Sequence, residues 1–81
     1  MYYCVYLLRS VKNPSQTYIG HTIDLKERLE RHNSGRSKHT ATYKPWKLVS
    51  CICFDTESKA LSFERYLKSG SGFAFAQKRF W

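Results

Sequence analysis

The sequence predicts a small α/β domain of the α+β type, with a three-stranded sheet flanked by helices in the order β-β-α-β-α-α. Two runs, residues 2–8 and 48–54, are rich in aromatic and β-branched residues and suit buried strands. Both fall well short of the roughly 20 residues that cross a bilayer. Helix-capping signals and helical spacing follow the second and third strands. A chain of 81 residues has room for one core, so residues 1–81 are predicted to form a single domain.

The first half of the chain predicts a hairpin, a helix and a loop. Residues 2–8 are predicted to pair with residues 17–20 across a turn at residues 12–16, where Asn and Pro set the bend. Asp24 followed by Glu27 resembles a capping box, which predicts a helix over residues 25–33 that stops at Gly35. Residues 36–44 are basic and polar, and are predicted to be a loop.

The second half predicts a strand and two helices. Residues 47–54 form the third strand, and Asp55 or Thr56 caps a helix that runs to about residue 68. Gly70 and Gly72 are expected to interrupt the helical pattern. A short last helix over residues 73–80 places three apolar residues on one side: Phe73, Ala76 and Phe80.

The charge balance indicates an anionic partner. Fourteen Lys and Arg against six Asp and Glu give a formal charge of +8, and the pI is about 9.7. Nucleic acid is the commonest partner of such a surface, although a basic surface without a specific ligand is the alternative. The ordinary apolar and charged fractions argue against collagen-like, disordered and coiled-coil classes.

Cysteine usage bears on the compartment. Three cysteines, Cys4, Cys51 and Cys53, with no sign of a signal peptide, favour a reducing, cytoplasmic setting over a disulfide framework. The spacing does not match a zinc finger, so three buried free thiols are expected rather than a metal site.

Four residues in the first half are candidates for chemistry. Tyr6 and Tyr18 share a shallow site if the hairpin register aligns their faces, although plain sheet packing is an equal alternative. Arg28 and His32 are four residues apart and so lie on one face of the first helix. The start of that helix attracts phosphate, and the alternative is a solvated basic face.

Glu64 is the most suggestive single residue of the second half. Three of its four helical neighbours are apolar, so its carboxylate should lie near the buried face and needs a partner. Mg²⁺ is a suitable partner because it takes one or two carboxylates together with water and phosphate oxygens. The alternative is an ion pair with Lys68 on the same helix.

The positive surface is expected to track a phosphate backbone, helped by aromatic residues near residues 43–46. Trp46 itself is expected in the core. The candidate nucleic-acid contacts are His21, Lys26, Arg31, Arg36, Lys38, His39 and Lys44.

These positions coincide with a known signature. Val-Tyr at residues 5–6 followed by Tyr-Ile-Gly at residues 18–20 resembles the paired motif of the GIY-YIG nucleases. Arg28, His32 and Glu64 stand where that family carries a helix arginine, a Tyr or His one turn later, and a metal-binding glutamate. The resemblance covers nearly the whole chain, and residues 67–74 are similar to the small stand-alone bacterial members.

The resemblance implies an endonuclease that hydrolyses DNA phosphodiester bonds with a single Mg²⁺ or Mn²⁺ held by Glu64. Tyr6 or Tyr18 would assist the attacking water, and Arg28 would stabilise charge on the phosphate. His32 would orient water or transfer a proton. His21 stands where many members carry Lys, and would touch the phosphate when protonated.

Two departures from the family pattern qualify this expectation. Cys4 replaces the glycine of the first motif, and Gln77 is only a candidate for the late polar residue of some members. These 81 residues carry no attached DNA-reading domain, so we expect a nuclease that is weakly sequence-specific, selects DNA by structure, or borrows specificity from a protein partner. The alternatives are a non-catalytic DNA-binding module, or a nuclease subunit that needs a partner for activity. No membrane association is expected.

Overall fold

The sheet is built around its first strand. The computed structural model describes residues 1–81, and three antiparallel strands lie in the order β2-β1-β3. Their bounds are Tyr3–Ser10 for β1, Thr17–Thr22 for β2 and Trp46–Phe54 for β3. The predicted hairpin is confirmed, and β2 continues two residues beyond Gly20. Tyr6 faces Gly20 across this hairpin, and a bulge interrupts the pairing of β1 with β3 between Leu7 and Leu8.

Four helices cover the sheet. They are α1 at Leu25–Ser34, α2 at Lys38–Ala41, α3 at Glu57–Leu67 and α4 at Gly70–Arg79. The predicted order of elements is confirmed, with α2 added between α1 and β3. None of these helices is both long and apolar enough to cross a membrane.

The central strand supplies two cores, one on each face of the sheet. On one face Val5 and Leu7 pack with residues of α3 and α4, among them Ala60, Leu67 and Ala76. On the other face Tyr6, Leu8 and Trp46 pack with the apolar side of α1, which includes Leu25 and Leu29. Because successive strand side chains point to opposite faces, a strand buried on both faces has an unbroken apolar sequence.

Side-chain caps define where the helices begin. Asp24 accepts a hydrogen bond from the backbone N–H of Glu27 at 3.1 Å, which confirms the predicted start of α1. Gly35, at φ 82°, ends that helix as expected. Thr56 rather than Asp55 caps α3, because its hydroxyl accepts from the N–H of Lys59.

The prediction of a loop over residues 36–44 was wrong in part, because α2 lies within it. Backbone N–H groups of Thr40 and Ala41 donate to the carbonyl of Ser37. The indole N–H of Trp46 donates to the Thr40 carbonyl at 2.8 Å. Thr40 is 1% exposed and Trp46 is 5% exposed, so this turn packs onto the core and brings Trp46 with it, as expected for that residue.

The predicted interruption at Gly70 and Gly72 was also wrong, because both lie in the first turn of α4. The Ser69 hydroxyl accepts from the N–H of Gly72 and satisfies one of the free donors of that turn. The helix therefore starts earlier than expected. Ala76 is buried on its packed side as predicted, and Phe80 packs against the core, but Phe73 is 59% exposed.

The expectation of three buried free thiols was wrong. Cys4 and Cys53 form a disulfide, Cys51 is free, and none of the three is fully buried. The reason lies in the register of β1 and β3, which places Cys4 directly opposite Cys53. Because the two are 49 residues apart along the chain, the pairing is not visible in the local sequence pattern.

The disulfide predicts the thiol content. After air oxidation, denatured protein should be alkylated at one cysteine, Cys51, and at three after reduction, as read by intact-mass spectrometry. The variant Cys51→Ser should take up no alkylating group before reduction. Alkylation of all three cysteines in air-oxidised protein would contradict the pairing.

Candidate active site

Tyr6 reaches across the edge strand at Gly20. A Cβ atom at residue 20 would lie 2.6 Å from the Tyr6 hydroxyl oxygen and 2.8 Å from Cζ of the same ring. Such distances are below any real carbon contact, so only glycine leaves room for the ring. The group that approaches Gly20 is therefore the Tyr6 side chain.

A chain of hydrogen bonds leads inward from Tyr6. Its hydroxyl lies 3.0 Å from Nε2 of His32, and Nδ1 of His32 lies 2.7 Å from the hydroxyl oxygen of Thr40. The Thr40 hydroxyl is 3.4 Å from the carbonyl oxygen of Ser37. Tyr6, His32 and Thr40 are each 2% exposed or less, so the two hydrogen bonds of the His32 ring are shielded from bulk water.

Tyr18 and Arg28 complete this group, which we call the tyrosine cluster (Tyr6, Tyr18, Arg28 and His32). The ring centroids of Tyr18 and Tyr6 are 6.1 Å apart, and those of Tyr18 and His32 are 4.8 Å apart. The register therefore aligns the two tyrosines as expected. Arg28 is half-buried, and its Nε has no hydrogen-bond partner. Its guanidinium thus has donor capacity left for a ligand such as phosphate.

The surroundings of Tyr6 and His32 keep both side chains neutral. Burial and the neighbouring Tyr18 raise the pKa of Tyr6 to about 12, and the charge of Arg28 only partly offsets this. Burial and the positive charges of Arg28 and Arg31 lower the pKa of His32 below its ordinary 6.5. Tyr6 therefore carries its proton at neutral pH, and His32 has an unprotonated nitrogen that can accept one.

Glu64 lies in a second group, the glutamate pocket. One carboxylate oxygen is 2.5 Å from Nδ1 of His21 and the other is 2.8 Å from Nζ of Lys68. With Leu61 and Arg65, these residues line a cavity of about 200 Å³. The sequence predicted that Glu64 needs a partner, and it has two. The i,i+4 pair with Lys68 is present together with the contact to His21.

The two partners set the charge of Glu64. Burial raises the pKa of its carboxyl, but hydrogen bonds from Lys68 and His21 outweigh that effect and hold the pKa below the ordinary value. Glu64 is therefore an anion at neutral pH. Lys68 is 53% exposed and its stem is flexible, so its ammonium can leave the carboxylate oxygen to another cation.

The tyrosine cluster and the glutamate pocket lie on opposite faces of β2. Tyr18 and Gly20 face α1, whereas His21 faces α3, because neighbouring strand residues alternate between faces. The structure thus brings Tyr6, Tyr18, Arg28 and His32 together, as the sequence suggested. Glu64 makes no hydrogen bond to any of them, and β2 carries adjoining members of the two groups, Gly20 and His21.

The basic residues predicted to contact nucleic acid are distributed over α1 and the segment that leads to β3. Six are exposed: Lys26, Arg31, Arg36, Lys38, His39 and Lys44. Arg31 also pairs with Glu27 one turn away at 2.7 Å. His21 differs from the rest, because it is half-buried against Glu64.

Thr40 is the site residue that the sequence analysis missed. It lies in the stretch assigned to a loop, and nothing in its local sequence indicates burial. Its hydroxyl meets His32 only because α2 folds back against α1. A prediction of α2 would have been needed to find it.

The comparison with known families decides the assignment. The sequence model described as the GIY-YIG catalytic domain matches residues 2–78. This chain belongs to the GIY-YIG family. The matched range includes both halves of the paired motif, residues 5–6 and 18–20, together with Arg28, His32 and Glu64.

Relatives fall into two groups. The chain is 48% identical over 69 residues to the protein "Structure-specific endonuclease subunit slx1" of Talaromyces marneffei, covering 78% of this chain but 18% of that protein. It is 39% identical over 69 residues to a UPF0213 protein of Haloquadratum walsbyi, covering 84% of this chain and 75% of that protein. This GIY-YIG domain therefore spans less than a fifth of the length of the slx1 relative.

A solved structure supports the fold. The solution NMR structure of a UPF0213 protein from Bacillus halodurans superimposes with a TM-score of 0.56 at 27% sequence identity. The superposition covers 96% of this chain and 84% of that one. The antiparallel sheet and the helices of the GIY-YIG domain are thus shared with a protein of similar size.

Replacing Gly20 by Ala should move the Tyr6 ring. The added methyl group overlaps the hydroxyl, so we expect the free energy of unfolding to fall by about 1–3 kcal/mol. Gly70→Ala is the matched control, because no atom lies within 4 Å of a Cβ at that position. Urea denaturation of both variants measures the difference. Equal stability would show that the Tyr6 ring does not need the space.

His32 should make stability depend on pH. Its folded pKa is below its ordinary 6.5, so protonation favours the unfolded chain. Its contribution is present above pH 6.5 and is lost as the pH falls from there through the folded pKa. The difference in unfolding free energy between the wild type and His32→Gln, measured from pH 7.5 to 5, should shrink accordingly. A constant difference over this range would contradict the lowered pKa.

Proposed function

We propose that this GIY-YIG domain is a nuclease that hydrolyses phosphodiester bonds in DNA with the help of a divalent metal ion. The observation that carries the proposal is the tyrosine cluster, a buried Tyr–His pair with a half-buried arginine beside it, within a chain that matches the family's catalytic domain over residues 2–78. A proton acceptor beside a cation supports phosphodiester hydrolysis, because the acceptor can take a proton from the attacking water and the cation stabilises charge on the phosphate.

In this proposal, Tyr18, Tyr6 and His32 have different roles in activating the attacking water. Tyr18 is the more exposed tyrosine and orients the attacking water. As the water oxygen attacks phosphorus, its proton passes to the Tyr6 oxygen while the Tyr6 proton moves to Nε2 of His32. This exchange avoids a free phenolate, which the raised pKa of Tyr6 disfavours. The bond from phosphorus to the leaving oxygen breaks, and that oxygen takes a proton from solvent.

Arg28 is the candidate contact for the phosphate. Its guanidinium is always charged and has an Nε without a partner. Two parallel hydrogen bonds from guanidinium to phosphate oxygens would hold the group in place. The same charge would be stabilising as the transition state develops.

The residues of the glutamate pocket suit a magnesium or manganese ion. Glu64 offers one anionic carboxylate, and Mg²⁺ commonly takes one carboxylate, waters and phosphate oxygens. Lys68 already places a cation at one of its oxygens, and an exposed side chain there can be exchanged for the metal. When bound, the ion would polarise the phosphate and support the leaving oxygen.

Nucleic acid is the substrate class that the charge favours, and the match to the GIY-YIG catalytic domain makes DNA the substrate that we propose. A net charge of +8 on 81 residues suits backbone contacts, which confer affinity without reading sequence. The exposed basic residues of α1 and the following segment would provide those contacts, and His21 would add a contact when protonated. Selection by DNA structure, and a protein partner that adds specificity, are both consistent with a relative named a structure-specific endonuclease subunit.

A cleavage assay with a matched pair of variants tests the proposal. Purified protein is incubated with labelled single-stranded, duplex or branched DNA in the presence of Mg²⁺ or Mn²⁺. Glu64→Ala should lower the cleavage rate by about 100-fold or more while DNA binding persists. Glu57→Ala removes an exposed carboxylate from the same helix and should leave the rate unchanged.

The outcomes separate the alternatives. Products that require metal and vanish with Glu64→Ala establish the nuclease. Binding to DNA without products on any substrate would indicate a binding module, or a subunit that needs a partner. Thermal melts followed by circular dichroism show whether Glu64→Ala remains folded after losing its contacts to His21 and Lys68.

A further inference from the structure

We infer that Thr40 is a positioning residue that holds the His32 imidazole in the tautomer with hydrogen on Nδ1, so that Nε2 is free to take the proton of Tyr6. The inference rests on the proposed nuclease function and deepens it. It concerns a residue on α2, the short helix that the sequence analysis did not find.

The direction of the hydrogen bonds follows from the partners available. At hydrogen-bond geometry the buried Tyr6 hydroxyl has one acceptor, Nε2 of His32 at 3.0 Å, while Arg28, which can only donate, and Tyr18 also lie beside it. A Tyr6 hydrogen that pointed away from Nε2 would give up this bond inside the protein, which is costly. Nε2 therefore accepts, and the imidazole hydrogen lies on Nδ1.

Thr40 provides the acceptor for that hydrogen. Its hydroxyl oxygen is 2.7 Å from Nδ1, and its own hydroxyl hydrogen can point at the Ser37 carbonyl at 3.4 Å. Every hydrogen in the chain from Tyr6 to Ser37 then has an acceptor. Arg28 supports the same direction, because its positive charge attracts the lone pairs of Tyr6 and turns the hydroxyl hydrogen toward His32.

Thr40 is held firmly enough for this role. Its carbonyl accepts from the Trp46 indole, and its N–H donates to the carbonyl of Ser37, the residue before α2. Thr40 and His32 are 1% and 2% exposed, so water cannot replace the hydroxyl. Without that hydroxyl, the hydrogen on Nδ1 would be buried and unpaired, and the imidazole would favour the other tautomer, which has no lone pair for the Tyr6 proton.

The arrangement also accommodates the charged state. When His32 accepts the Tyr6 proton, both ring nitrogens carry hydrogen. The Thr40 oxygen continues to accept from Nδ1, so the imidazolium gains no unpaired donor on that side. The Thr40 hydroxyl oxygen therefore accepts a hydrogen bond from Nδ1 both in the neutral ring and in the protonated ring.

Imidazole ¹⁵N chemical shifts test the inference directly. Long-range ¹H–¹⁵N correlation spectra of wild-type protein at neutral pH should show His32 with a protonated Nδ1 and an unprotonated Nε2. Thr40→Val keeps the shape but removes the hydroxyl, and should shift His32 toward the tautomer with hydrogen on Nε2. Thr40→Ser should restore the wild-type pattern, and Thr42→Val, an exposed neighbour, should leave it unchanged.

Cleavage kinetics provide the second measurement. Thr40→Val should lower kcat by about 10-fold or more with little change in KM, since general-base assistance contributes about 10²–10⁴. Thr40→Ser should recover most of that loss. A Thr40→Val enzyme with wild-type kcat would overturn the positioning role.

The two proposals fail in different ways. A wild-type His32 with hydrogen on Nε2, in protein that cleaves DNA, would overturn the role of Thr40 and leave the nuclease proposal standing. The expected tautomer in protein that cleaves no DNA would overturn the nuclease proposal and, with it, any catalytic purpose of Thr40. The wild-type spectrum reports the His32 tautomer without any variant, so it tests the inference even if Thr40→Val does not fold.

Discussion

The contact between the Tyr6 ring and Gly20 is the constraint on which the candidate site depends. The ring lies across an edge strand at a position where any side chain would collide with it. Because the ring is held there, its hydroxyl meets His32 on α1. Because His32 is then buried, its second nitrogen needs a partner, and α2 provides it through Thr40. The glycine at residue 20, the burial of His32 and the packing of α2 are thus all linked to the position of the Tyr6 hydroxyl.

The central strand explains how a chain of this size can hold two separate clusters of polar side chains. Alternate residues of β1 pack into different cores, so each face of the sheet is anchored independently. The tyrosine cluster is built on the α1 face and the glutamate pocket on the α3 face. β2 carries adjoining members of both, Gly20 and His21. β2 is therefore the strand that fixes the position of the tyrosine cluster relative to the glutamate pocket.

Local signals predicted most of the architecture. Asp24 and Gly35 bounded α1 correctly because caps act within a few residues, and the alignment of Tyr6 with Tyr18 followed from hairpin pairing. Features that depend on distant pairing were missed. The Cys4–Cys53 disulfide needs the register of β1 with β3, and the burial of Thr40 needs the packing of Trp46 onto α2. Glu64 was expected to have a partner, but its contact with His21 required the packing of α3 on β2.

The placement of the two groups on either side of an edge strand has a consequence for the shape of what binds. Because Tyr18 faces α1 and His21 faces α3, a nucleic-acid backbone that touched both the tyrosine cluster and the glutamate pocket would lie along the edge of the sheet formed by β2. Straight duplex DNA resists sharp bending over short lengths. Chains that already turn or separate, such as junctions, flaps and unpaired strands, follow such an edge with less distortion. Preference for bent or branched nucleic acid would then arise from sheet geometry, without any residue that reads a base.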